Sequence, residues 1–175
     1  MDDLVAVGSR QYFFFLMMLL LSRGADLLST WIATPNMVLE GNPLAKLLGW
    51  KWGSFINLVL CGVFAAWPLA AIVIGTTSVL VAARNFQVAW LMRSLGEENY
   101  RDWYLERLRQ TGLGLYLFCL LGQTFLTASV GGALMYFTGG SLIPFAVGFG
   151  IVGYALAVTF YTLLALWRIR RAPPE

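Results

Sequence analysis

Of the chain's 175 residues, 59% are hydrophobic and 12% charged, about half the charged share of an average soluble domain. With a mean hydropathy of +0.71, this composition excludes an ordinary soluble fold and describes one integral membrane domain over residues 1–175. The pI near 9.1 traces to arginines at membrane edges, so no nucleic-acid partner is expected. The absence of histidine removes the commonest general base and metal ligand, no cofactor is expected, and a metal stays an open question.

At the start of the chain, Arg10 precedes YFFFLMMLLLS, a short apolar run like that of a signal peptide. Arg23 then spoils the small-residue cleavage pattern. The run cannot span alone, because twelve helical residues reach only about 18 Å of a hydrocarbon core about 30 Å thick. The first span is therefore placed at 11–33 and continues through Arg23 and Asp26. Arg23, Asp26 and Thr30 follow at spacings of three and four, so one helical stripe carries all of them. Each charge costs roughly 2.5–3.5 kcal/mol at mid-membrane, and an opposite neighbour offsets part of that. Either the pair is an internal salt bridge that orients a helix, or the stripe receives an ion, proton or polar ligand.

The next stretch, TPNMVLEGNPLAK (34–46), reads as an external loop. Asn42 suits an N-cap and Pro43 the first helical position. Glu40 is not explained that way and reaches Asp26 only if the loop folds inward. Asp26-x-x-x-Thr30 followed by Glu40-x-Asn42-Pro43 resembles the pattern of a family of short bacterial and archaeal membrane proteins of unknown function. The match covers the first third of the chain and brings no activity with it. The resemblance implies that Asp26, Thr30, Glu40 and Asn42 form one unit.

A second span is expected over 53–83, with Asn57 in its outer part. It is overlong and contains Pro68, so it either kinks there or exits near Gly75. Two short spans folding back at Trp67-Pro68 would need a nearly loopless turn within lipid. Third and fourth spans are placed at 112–137 and 142–167, giving an all-α, polytopic bundle of four transmembrane helices. Even span number puts Arg10, Arg84, Arg93, Arg101, Arg107, Arg109, Arg168, Arg170 and Arg171 on one side and only Lys46 and Lys51 on the other. The positive-inside bias then places both termini in the cytoplasm of a prokaryotic inner membrane.

The intervening segment 84–111 is read as a cytoplasmic loop with an amphipathic helix between the second and third spans. Its SLGE (94–97) has capping-box spacing, and Glu97 and Arg101 stand one turn apart. Arg101, Trp103, Tyr104 and Arg107 suit contact with the membrane surface or a partner. Gly153-x-x-x-Ala157 permits close helix packing, within the chain or in self-association. Gln123, Thr127, Ser129 and Tyr154 offer further polar groups to a pocket. Cys61 and Cys119 fall toward opposite faces, so no disulfide is expected.

These features support first a small accessory or structural subunit of a membrane complex, its Arg–Asp cluster fixing packing beside lipid and other subunits. The alternative is a binder or carrier of a cation, proton or small polar solute, using Asp26 and Glu40 with Thr30, Asn42 and Asn57 as neutral oxygens and Arg23 as charge partner. A third reading, an intramembrane hydrolase on the same two carboxylates, lacks a visible nucleophile–base pair.

Overall fold

The computed structural model describes residues 4–40 and 43–171, with side chains described as far as residue 167. Among the described residues there are six α-helices: α1 (Arg10–Ala33), α2 (Pro43–Phe64), α3 (Pro68–Leu95), α4 (Glu97–Gln110), α5 (Leu113–Tyr136) and α6 (Leu142–Arg171). All but α4 are long and apolar enough to cross a membrane, so there are five candidate spans rather than four.

The difference lies at Pro68. The expected span at 53–83 is two helices joined by Ala65, Ala66 and Trp67. Proline disfavours the helical region for the residue before it, and Trp67 is extended at φ −115°, ψ 99°. Pro68 then opens α3, where its missing N–H costs nothing. The tight turn closes one end of the bundle, because both helices outrun the expected boundaries. α2 begins at Pro43 and α3 continues to Leu95, which gives them 22 and 28 residues. The turn therefore sits at the end of the bundle, where Val5 N–H donates to the Ala66 carbonyl at 2.9 Å. Within α2, Gly49 breaks the helix at φ 64°, a conformation open to glycine.

Hydrogen bonds fix the directions of the helices. Tyr12 Oη donates to the Gly62 carbonyl near the start of α1, and Asn85 of α3 meets Ser29 and Thr30 near its end. α1 and α3 therefore run parallel, and α2 returns antiparallel between them in sequence. Thr77 Oγ1 donates to Gly150 O, and Arg10 and Leu142 border one groove, so α6 is parallel to α1 and α3. α5 runs the other way. The start of α1 and the end of α6 consequently lie at opposite ends of the bundle, unlike the termini of a four-span chain.

The layers follow the order α1, α3, α6, α5, with α2 lying lightly against α1 and α3. In lipid, packing rather than water exclusion brings helices together, so small residues control the approach. Ala71, Gly75, Ser78, Ala82 and Ala89 supply that face of α3. Gly131 and Gly148 abut across α5 and α6, while Gly150 seats on Thr76 and Val73 of α3. Gly153, expected at a close contact, faces open space.

Candidate functional site

α1 presents Arg23, Asp26, Thr30 and Thr34 along one side, and α3 faces them with Ser78 and Asn85, seven residues apart and so on one face. Arg23 is the hub. Its Nη1 donates to Asp26 Oδ2 at 2.8 Å and to Ser78 Oγ at 3.1 Å. Its Nε donates to Asn57 Oδ1 at 2.8 Å, and Nη2 reaches the same oxygen. The Asn57 amide is oriented for this because Nδ2 donates to Gly53 O, one turn back on α2. A charge amid apolar helices needs hydrogen-bond partners, and this half-buried guanidinium has them on three helices.

Toward the far end the chain of polar groups continues. Ser29 Oγ donates to the Asp26 carbonyl, and Asn85 Nδ2 donates to Ser29 Oγ and Thr30 Oγ1 at 3.3 and 3.1 Å. Ser29 and Ser78 are fully enclosed, at 0% and 2% exposure. Glu40, on the loop after α1, contributes to the electrostatic field at Asp26. Asn42 lies outside the described residues.

At the mouth, Glu97 ties this loop to α4. Its carboxylate accepts from Thr34 Oγ1 at 2.5 Å and from the Asn36 and Val38 N–H groups at 2.8 and 3.0 Å. Trp50 Nε1 adds a bond to Pro35 O. Partial burial of Glu97 acts to raise its carboxyl pKa, but the bond from Thr34 and those from Asn36 and Val38 outweigh it and hold the group below its ordinary value. The loop and α4 therefore share one end of the bundle, whereas an even span count had put them on opposite faces.

Toward the start of α1 the column stops. Leu19, Cys61, Ala65 and Ala71 form a tight apolar plug there. A cavity of about 340 Å³ lies against the plug, bordered by Leu19, Cys61, Phe64, Arg23, Asn57 and Ser78. No charged residue occurs on α1 between Arg10 and Arg23, on α2 after Lys51, or on α3 before Arg84. Toward the start of α1 the polar column thus gives way to apolar side chains.

Of the expected residues, Arg23, Asp26 and Asn57 are joined by hydrogen bonds, and Thr30 bonds Asn85 beside them. Ser78, Asn85 and Glu97 were not anticipated, because Asn85 and Glu97 had been assigned to a loop on the opposite face. Gln123, Thr127 and Ser129 lie on α5, which packs on α6 rather than on the column. Among the described residues no group of three or more His, Cys, Asp or Glu side chains is placed to hold a metal ion. Cys61 and Cys119 are both free thiols.

α4 also departs from expectation. Gly96, not Ser94, precedes its first turn, and Ser94 Oγ bonds back to Leu91 O. Glu97 serves the loop, leaving Arg101 to Asp102 and Arg107 to Gln110. Tyr104 shares a hydrogen bond with Tyr116 of α5 and stacks on Tyr100, while Trp103 stays exposed. Burial pushes the Tyr104 hydroxyl pKa up, and the Tyr116 hydrogen bond reinforces it. Comparison with family models, with curated proteins and with solved structures gives no match to this chain.

Proposed function

We propose that this membrane protein binds a proton or a small cation in the polar column, admitting it from the end where α4 and the Glu40 loop lie. The supporting observation is the charge inventory of the site. Arg23 pairs with Asp26, and the Glu40 carboxylate adds to the negative field at Asp26. Two acidic side chains acting on one place suit a cation and disfavour an anion. Hydroxyls of Ser29 and Thr30 add hard oxygen donors of the kind such cations take. The apolar plug argues for binding over conduction by a single chain.

Orientation follows from five spans. Lys46, Lys51, Arg93, Arg101, Arg107, Arg109, Arg168, Arg170 and Arg171 then gather at the α4 end, and Arg10 alone stands at the other. The positive-inside rule places the α4 end in the cytoplasm of a prokaryotic inner membrane and the start of α1 outside.

The test is the full-length protein in detergent, unfolded thermally in Na⁺, K⁺ or Mg²⁺ at constant ionic strength, with proton uptake followed by a pH indicator. A bound cation at a hundred times its Kd should stabilise by about 2.7 kcal/mol. Asp26→Asn and Glu40→Gln should each remove that gain or the proton uptake. Wild-type protein indifferent to all three cations and to pH would refute the proposal.

A second reading, an accessory subunit, is favoured by one observation: Asn57, Asp26 and Ser78 already engage Arg23 without any ligand. The cluster would then serve only to fix α1, α2 and α3.

A further inference from the structure

A second concavity lies at the opposite end of the bundle from the column mouth. It measures about 580 Å³, and the first residues of three helices border it: Arg10 of α1, Pro68 of α3 and Leu142 of α6. These helices run parallel, so their positive dipole ends converge on one place. Each such end behaves as roughly half a positive charge, and the effect is confined to the first turn. α3 starts with no side-chain cap on its N–H groups. Arg10 adds a full charge at the same level, and Gln11 and Ser141 add neutral polar groups. Deeper, Phe14, Phe15 and Ile72 make apolar walls, and Ile143 adds an apolar side chain at the rim. The groove is therefore cationic and polar at headgroup height and apolar one turn below. Phe14 and Ile143 are 65% and 64% exposed, so they are free to meet an occupant.

We propose that this groove holds one glycerophospholipid of the adjoining leaflet, with its phosphate among Arg10 and the three helix starts and one acyl chain between α1 and α6. Charge complementarity selects the phosphate, and the order of polar rim above apolar wall selects an amphiphile over free phosphate. Its volume is within the range of built small-molecule sites. Arg10 and Arg23 are about 20 Å apart along α1, so this site is independent of the cation column. A bound lipid would also wedge α6 against α1, which the helices themselves do not contact extensively.

Native mass spectrometry of the delipidated full-length protein tests this, with dioleoyl phosphatidylglycerol, dioleoylglycerol and inorganic phosphate as separate probes. Phosphatidylglycerol should bind about fivefold more tightly than the diacylglycerol, the contribution expected of one cation near a phosphate. Arg10→Gln should weaken that preference while leaving chain binding. Ile143→Trp, at the exposed rim, should fill the groove and reduce binding of both lipids, with circular dichroism confirming the fold. Equal binding of the two lipids, tighter binding of phosphate alone, an unchanged preference in Arg10→Gln, or undiminished binding in Ile143→Trp would each overturn the proposal.

Discussion

Replacing Gly148 by alanine examines the contact that joins α5 and α6. A Cβ at Gly148 would lie 2.5 Å from the Gly131 carbonyl oxygen, 2.8 Å from Met135 Cγ and 3.1 Å from Leu134 Cβ. The closest of these is backbone, so it cannot rotate away. Restoring ordinary contact at 3.4 Å requires the two helices to move apart by about 1 Å locally. Overpacking of this kind costs roughly 1–3 kcal/mol, against which alanine's better helix propensity returns up to about 1. A net loss of about 1–2 kcal/mol follows. Gly131→Ala should behave alike, since its Cβ would meet the Gly148 carbonyl at 2.6 Å. The double variant should cost less than the sum, because the first substitution has already opened the interface. Gly153→Ala is the control: nothing lies within 4 Å of its Cβ, so only the propensity gain remains. Reversible unfolding in mixed detergent–SDS micelles measures all four variants. Gly148→Ala as stable as wild type, or Gly153→Ala as damaging as Gly148→Ala, would refute the packing argument.

The ion pair gives a cycle that separates the two functional readings. Arg23→Met alone should destabilise by about 3–5 kcal/mol by stranding Asp26, whereas Arg23→Met with Asp26→Leu should recover most of that loss. If the recovered double variant also keeps cation-dependent stabilisation, the column is structural only. At Glu97 the folded carboxyl titrates below the ordinary value of 4.5, so its contribution is complete above that pH and fades as pH falls through the lower folded value. Exchange protection of the Asn36 and Val38 amides should drop in that acid window, and Glu97→Gln should lower it by about 1–2 kcal/mol at neutral pH; pH-independent protection in wild type would argue against the clasp. A reporter that fluoresces only in the cytoplasm, fused after residue 175, should be bright, and the same reporter at residue 1 dark. The reverse pattern would invert the proposed orientation.

The membrane class and the passage of α1 through Arg23 and Asp26 were legible in the residues. Hydrophobic length and helical spacing are local properties, and they place a stripe on a helix without any knowledge of its neighbours. Span number was not legible. It turned on whether Pro68 kinks a helix or starts one, and that depends on where the flanking helices end. The apolar pattern alone left both boundaries short, so a turn at Ala65–Trp67 looked trapped in lipid. Once α2 begins at Pro43 and α3 ends at Leu95, the turn lies at the bundle end.

That one boundary decided the remainder. Sequence by itself determined that Arg23 and Asp26 sit together on one apolar helix, because residues three apart are neighbours in any α-helix. Only the tertiary structure decided that Asn57, Ser78 and Asn85 complete their surroundings, that Glu97 closes the loop above them, and that Arg10 meets two other helix starts. Those contacts join residues 34 to 63 positions apart, and in the case of α6 far more, so their existence depends on the direction and pairing of whole helices. An added or missing turn reverses every helix that follows it, which is why local pattern could not supply them.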